Sequence, residues 1–112
     1  MGGKLVVIQP NGISHIITIL DKSWKLEKVQ ELVGGYIEQV KVRYEGKVRD
    51  AYVNEDGISQ GLQFNQEATD LYLGYLKGSE LRYLPQIVGT MVIWIPNPKK
   101  RKENVQANAG TA

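Results

Sequence analysis

WKLEKVQELVGGYIEQVKVRY, residues 24–44, changes its hydrophobic period half-way along, and that change decides the fold. In the first half Leu26, Val29, Leu32 and Val33 recur at helical spacing and form one apolar stripe. Lys25, Glu27, Lys28, Gln30 and Glu31 fill the opposite side. Ser23 is placed to cap this helix by accepting a backbone N–H, and Gly34 or Gly35 supplies the left-handed residue that ends it. Beyond Gly35 the period falls to two. Val40, Val42 and Tyr44 take one side of a strand, and Gln39, Lys41 and Arg43 the other. A helix that stops on Gly-Gly and turns straight into a strand packs against the sheet that the strand joins.

Upstream, Leu5–Gln9 and Ser14–Leu20 are β-rich runs separated by Pro10-Asn11-Gly12, a strong turn signal, and together they predict a hairpin. Downstream, a two-residue turn at Glu45-Gly46 sets Tyr44 opposite Lys47. That register places Lys41 across from Asp50 and gathers Val40, Val42, Ala51 and Val53 on one face. A slip of one residue would separate both sets. Asn54-Glu55-Asp56-Gly57 breaks the strand. Asn65 caps a second helix running from about Gln66 to Lys77, with Ala68, Leu71, Tyr72, Tyr75 and Leu76 along its apolar side and Gly78 as its stop. Glu80–Gln86 is expected to be irregular. Ile87–Ile95 is apolar on both alternating sets, the pattern of a central strand covered on both faces. The fold class is therefore α+β: a single domain over residues 1–96, with a five-stranded, mostly antiparallel sheet, two helices and the order ββαββαβ. Sheet and helices are expected as one pair of layers, and the strand order is open. Residues 97–112 are expected to form a disordered basic tail.

The bulk numbers narrow the function classes. At 112 residues the chain has room for one core. It has no cysteine, so it carries no disulfide framework, thiolate nucleophile or thiolate metal site. No apolar run is long enough to span a bilayer, and no secretory leader is evident. Met1-Gly2 begins like a myristoylation signal, but Val6 stands where serine or threonine is needed. The expected location is the cytoplasm of the host cell. The formal net charge of +2 is unevenly held: residues 97–112 carry +3 and residues 1–96 carry −1. A body without basic excess argues against a dedicated phosphate-binding domain.

Three stretches resemble a known family. LVGGYIE at Leu32–Glu38, NEDGISQGLQFNQEA at Asn54–Ala68 and IVGTMVI at Ile87–Ile93 are similar, in the same order, to signatures of the domain of unknown function 3846. The resemblance covers most of residues 4–95. The LYLGYLKGSELRYLPQ segment and the basic tail depart from the usual pattern. It implies an uncharacterised phage- or virus-type protein, and it brings no activity, substrate or cofactor.

Catalytic signals are sparse. His15 is the one histidine, on a predicted strand with no nucleophile elbow beside it. Asn54, Glu55 and Asp56 have hard-cation chemistry but not the spacing of an EF-hand loop, and read first as a turn. No glycine-rich phosphate loop is present. Lys41, Arg43, Lys47 and Arg49 share one hairpin with Tyr44 and Tyr52 near by, a candidate nucleic-acid contact by phosphate pairing and stacking. The predicted register, however, points Lys41 and Arg43 away from Lys47 and Arg49. Lys99, Lys100, Arg101 and Lys102 form a candidate nuclear localisation signal, relevant only in a eukaryotic host.

The expectation is a non-enzymatic accessory protein that acts by binding a host protein or a small nucleotide ligand, with no cofactor and no metal. The alternative is nucleic-acid binding through the 41–49 hairpin and the tail. A hydrolase built on Asp50, Glu55 or Asp56 is the third class. Ser14–Leu20 adds a further expectation. It holds Ile16, Ile17, Ile19 and Leu20 and only His15 as an ionisable group, so it is poorly guarded as an edge strand. It should lie inside the sheet or pair across a two-fold axis in a homodimer.

Overall fold

Alternation along two hairpins and one closing strand builds a single sheet with both faces apolar. The computed structural model describes residues 2–76 and 85–98. The elements are β1 (Gly3–Ile8), β2 (Ser14–Ile19), a 3-10 turn (Lys22–Trp24), α1 (Lys25–Val33), β3 (Ile37–Tyr44), β4 (Lys47–Asn54), α2 (Gln66–Tyr75) and β5 (Met91–Pro96). The sheet order is β2-β1-β5-β4-β3, and every neighbouring pair is antiparallel. This is the α+β class and element order predicted from the sequence. β5, the last of the described strands, lies in the middle.

Strand β5 explains the layering. Met91 and Ile93 join Val6, Ile8, Val42, Ala51 and Val53 in one buried cluster, against Ala68 of α2. Val92 and Trp94 join Leu5, Ile19 and Tyr52 in another, against Val29 and Val33 of α1. Alternate residues of one strand point to opposite faces, so the helices cover opposite sides of the sheet. The expected single pair of layers is corrected to three layers. An all-apolar central strand demands cover on both faces, and one helix layer cannot supply it.

The second hairpin keeps the predicted register. Tyr44 pairs with Lys47 and Lys41 with Asp50, whose side chains meet at 2.6 Å. Glu45 and Gly46 take φ values of 53° and 81°, as a two-residue hairpin turn requires. Helix α1 stops on Gly34 in the left-handed conformation. Its start differs from expectation. Ser23 is not the cap, because the chain first makes the 3-10 turn and Asp21 accepts the Ser23 N–H at 3.0 Å. That N–H, with the Ser23 hydroxyl second, holds the Asp21 carboxyl below its ordinary range. Leu26, counted in the apolar stripe, is 57% exposed.

Two further boundaries move. β5 begins at Met91 rather than Ile87. Gly89 at φ 78° breaks the extended run, and Val88 bridges to Phe64 instead. Helix α2 ends at Tyr75, and the expected Gly78 stop and most of the 80–86 stretch lie outside the described residues. The tail beyond Pro98 lies outside them as well. Ser14–Leu20 is not inside the sheet, because β2 is an edge strand.

Asn65 joins these parts. It is buried, and its Oδ1 accepts the Ala68 N–H at 3.0 Å, capping α2. Its Nδ2 donates to the Ile8 carbonyl at 3.0 Å and to the Gly89 carbonyl at 2.8 Å. Asn65→Ala would leave both carbonyls and the helix N-terminus unsatisfied, and should cost about 3 kcal/mol in chemical denaturation. Asn65→Asp keeps the capping oxygen but sets a carboxylate against two carbonyls. Its folded-state pKa must rise above the unfolded value. The variant's deficit relative to wild type should therefore be largest near neutral pH and shrink as the pH falls towards 4. A pH-independent deficit would contradict this account of the joint.

Candidate functional site

A cleft of about 500 Å³ opens where the start of β3, the end of β4, the loop after it and the residues before β5 converge. Its floor is apolar: Val40, Val53 and Ile87. Tyr72 of α2 lines it, and Glu38, Glu55 and Ser59 bring polar groups to it. Ile58, 76% exposed, also lines it. Among the described residues that line it, the ionisable carboxyls are Glu38 and Glu55, and there is no lysine or arginine.

The loop wall is built from Asn54, which is buried at the end of β4. Its Oδ1 accepts the Asp56 N–H at 2.8 Å, while its Nδ2 donates to the Val33 carbonyl at 3.2 Å and lies 3.4 Å from Gln60 Oε1. One carboxamide thus ties the end of α1 to the loop. Backbone bonds from Gly57 to Asn54, Gln60 to Asp56 and Leu62 to Gly57 coil the loop tightly. The coil is anchored to the opposite wall. Gly89 donates to the Gln63 carbonyl at 2.7 Å, and Thr69 Oγ1 accepts the Ile87 N–H at 2.9 Å. At Gly57 the contact is so close that a Cβ would stand 2.8 Å from Val88 Cγ2. Asn54, Glu55 and Asp56 therefore behave as the turn that their composition suggests.

The basic hairpin is distributed as its register requires. Lys41 and Arg43 emerge on the α1 face, and Lys47 and Arg49 on the α2 face. Lys41 is held by Asp50. That hydrogen bond, and next the carboxylate's charge, push its pKa up, so the ammonium persists through the ordinary range. Arg43 Nη1 lies 3.5 Å from the Gly46 carbonyl. Arg49 is half-buried, with Nε buried and without a hydrogen-bond partner among the described residues. The aromatic rings are committed to packing. Tyr44 is packed against the α2-side cluster. Tyr52 is buried with Lys25 Nζ 5.5 Å from its centroid, and the same ammonium lies 4.7 Å over Trp94. Lys99, Lys100, Arg101 and Lys102 lie outside the described residues.

His15 is exposed on β2. Three strand spacings separate it from Asp50 on β4, roughly 14 Å or more. Among the described residues no three His, Asp or Glu side chains gather to hold a metal ion. No helix of the described chain is long and apolar enough to cross a membrane.

Sequence reading found Glu55 but not the cleft. Its floor comes from strand residues indistinguishable from any others of the core, and Glu38 and Tyr72 meet it only through the fold. Gly57 has no positive φ, so its glycine answers a close approach rather than a turn requirement, a distinction that only the structure makes. Gly57→Ala should destabilise the protein by roughly 1–3 kcal/mol through the clash with Val88. Adding Val88→Ala should return part of that loss in a double-mutant cycle, whereas strictly additive effects would place the strain elsewhere.

One family model matches the chain, Domain of unknown function (DUF3846), over residues 3–106. The match takes in every strand and helix described and runs past Pro96 into the basic segment. Neither a curated protein nor a solved structure matches it.

Proposed function

The chain belongs to the DUF3846 family, which carries no activity to inherit, and from the geometry we propose that it acts by binding, without catalysis, through the cleft beside the 54–62 loop. The observation that carries this reading is the make-up of the cleft. About 500 Å³ is the size of small-ligand sites, and an apolar floor with a few polar groups at its edge is their usual composition.

The charge of the cleft selects the ligand. Glu38 and Glu55 favour an amine or a guanidinium and oppose a phosphate. Of the two partners expected from the sequence, a nucleotide is the less suited. A host protein presenting a lysine or arginine side chain, or a small cationic molecule, is the better fit. Tyr72 also lines the cleft, and an aromatic ring attracts such a cation. The phage- or virus-type accessory role is supported by the sequence resemblance alone. Nucleic-acid binding through the hairpin is less well supported by the geometry. Lys41 is paired, Tyr52 is buried, and the four basic residues divide between two faces.

Thermal-shift and calorimetric titrations with arginine amide, spermidine and ATP test the reading. The two cations should raise the melting temperature, by an amount that shrinks with added salt, and ATP should not. Glu38→Gln and Glu55→Gln should each weaken cation binding by roughly fivefold to tenfold at unchanged stability. Stabilisation by ATP alone, or turnover of any of these compounds, would overturn the proposal.

A further inference from the structure

The two edges of the sheet are unlike. β3 carries Lys41 and Arg43, and α2 runs so close beside it that a Cβ added at Gly74 would stand 3.8 Å from Arg43 Cβ. Charge and a covering helix are standard guards for an edge. β2 has neither. Its one ionisable side chain is His15, and around it exposed apolar surface accumulates. Ile13 and Ile16 are each 59% exposed, Leu20 is 81% exposed, and Trp24 and Leu26 follow, also exposed.

The backbone of β2 is open in a definable pattern. Gln9 donates to the Ile13 carbonyl at 3.0 Å, and Gly2 accepts from Asn97 at 3.0 Å on the other side of β1. Amides alternate sides along an antiparallel strand, and β1 pairs Val7 with His15 and Leu5 with Ile17. Odd-numbered residues of β2 therefore bond to β1. Ser14, Ile16 and Thr18 turn their N–H and C=O groups outward, without a strand partner among the described residues.

We propose that this edge pairs with the same edge of a second copy of the chain, antiparallel across a two-fold axis, to make one continuous ten-stranded sheet. The occupant follows from complementarity. Pairing of β2 with a copy's β3 would meet Lys41, Arg43 and α2, and, being head-to-tail, would leave edges open for a filament. Pairing of β2 with β2 is closed and leaves a guarded β3 at each end. A register that sets Ile16 or Ile17 opposite its own copy keeps the faces of the sheet continuous and unites the outward amides. Either one keeps His15 from facing the other His15.

Sedimentation and amide hydrogen exchange test this on the full chain. The wild type should be dimeric, with Ile16 and Thr18 amides protected alongside those of His15 and Ile17. Ile16→Lys removes no core contact, because that side chain is largely exposed. It should raise the dimer dissociation constant by on the order of tenfold or more, through two ammonium groups brought together. The Ile16 and Thr18 positions should then exchange rapidly while His15 and Ile17 stay protected in a folded monomer. Thr18→Lys is a second, independent probe of the same edge. A monomeric wild type with fast-exchanging Ile16 and Thr18 would overturn the proposal. So would a dimer that survives both lysine variants, since its interface would lie elsewhere. Cation binding in the cleft and association at this edge are separate readouts, so either can fail without the other.

Discussion

The carboxamide of Asn65 is where the architecture is joined. Withdrawn from water, it must find a partner for every hydrogen-bonding atom, and its partners belong to three elements. Its oxygen starts α2. Its two N–H groups hold the end of β1 and the turn that precedes β5. Its backbone N–H bonds to the Ile87 carbonyl, and one turn later Thr69 bonds to Ile87 again. The segment from Phe64 to Thr69 is thereby zipped to the approach of β5. That zip fixes α2 over its face of the sheet, and it fixes the far wall of the cleft. Asn54 does the corresponding work on the near wall, where it binds the end of α1. Two buried asparagines thus orient the two helices, while the apolar clusters supply the bulk of the stabilisation.

The sheet between them is asymmetric by composition. One edge is charged and shielded by a helix; the other is a bare run of isoleucine and threonine. Both faces at its centre are filled. Ile13, Ile16, Leu20, Trp24 and Leu26 leave apolar surface uncovered on β2, the turns on either side of it and the start of α1, and Tyr36, Val48, Ile58, Phe64 and Tyr75 leave more of it elsewhere. The cleft occupies the opposite end of the sheet order, at β3 and β4. The proposed ligand cleft and the proposed pairing edge therefore lie at opposite ends of the sheet.

Much of this was legible in the residues. The Gly-Gly stop, the Glu45-Gly46 turn and the Lys41–Asp50 pair are local, so period and turn chemistry sufficed to place them. Asn65 was legible as a cap, because a cap is read within four residues, but its bonds to Ile8 and Gly89 span the fold and left no trace in sequence. Ser23 misled because a 3-10 turn starts before the α-helix and moves the capping role to Asp21. The two-sided layering was implicit in the doubly apolar Ile87–Ile95 run, yet which helix covers which face depends on strand order, and pattern does not determine that. The cleft was invisible for the same reason. Glu38, Tyr72 and Ile87 are distant in sequence and converge only after β5 is inserted.

That insertion also sets when the molecule can exist. The first strand finds its second partner only in β5, since Gly3 pairs with Pro96 and Ile8 with Met91. Until β5 is available, the chain holds two hairpins with no hydrogen bond between them and two helices with half a surface to rest on. Such long-range closure makes folding slow for the size of the protein. A ribosome releasing this chain from its N-terminus exports both hairpins, with the apolar faces of β1 and β4 uncovered, before the strand that unites them appears.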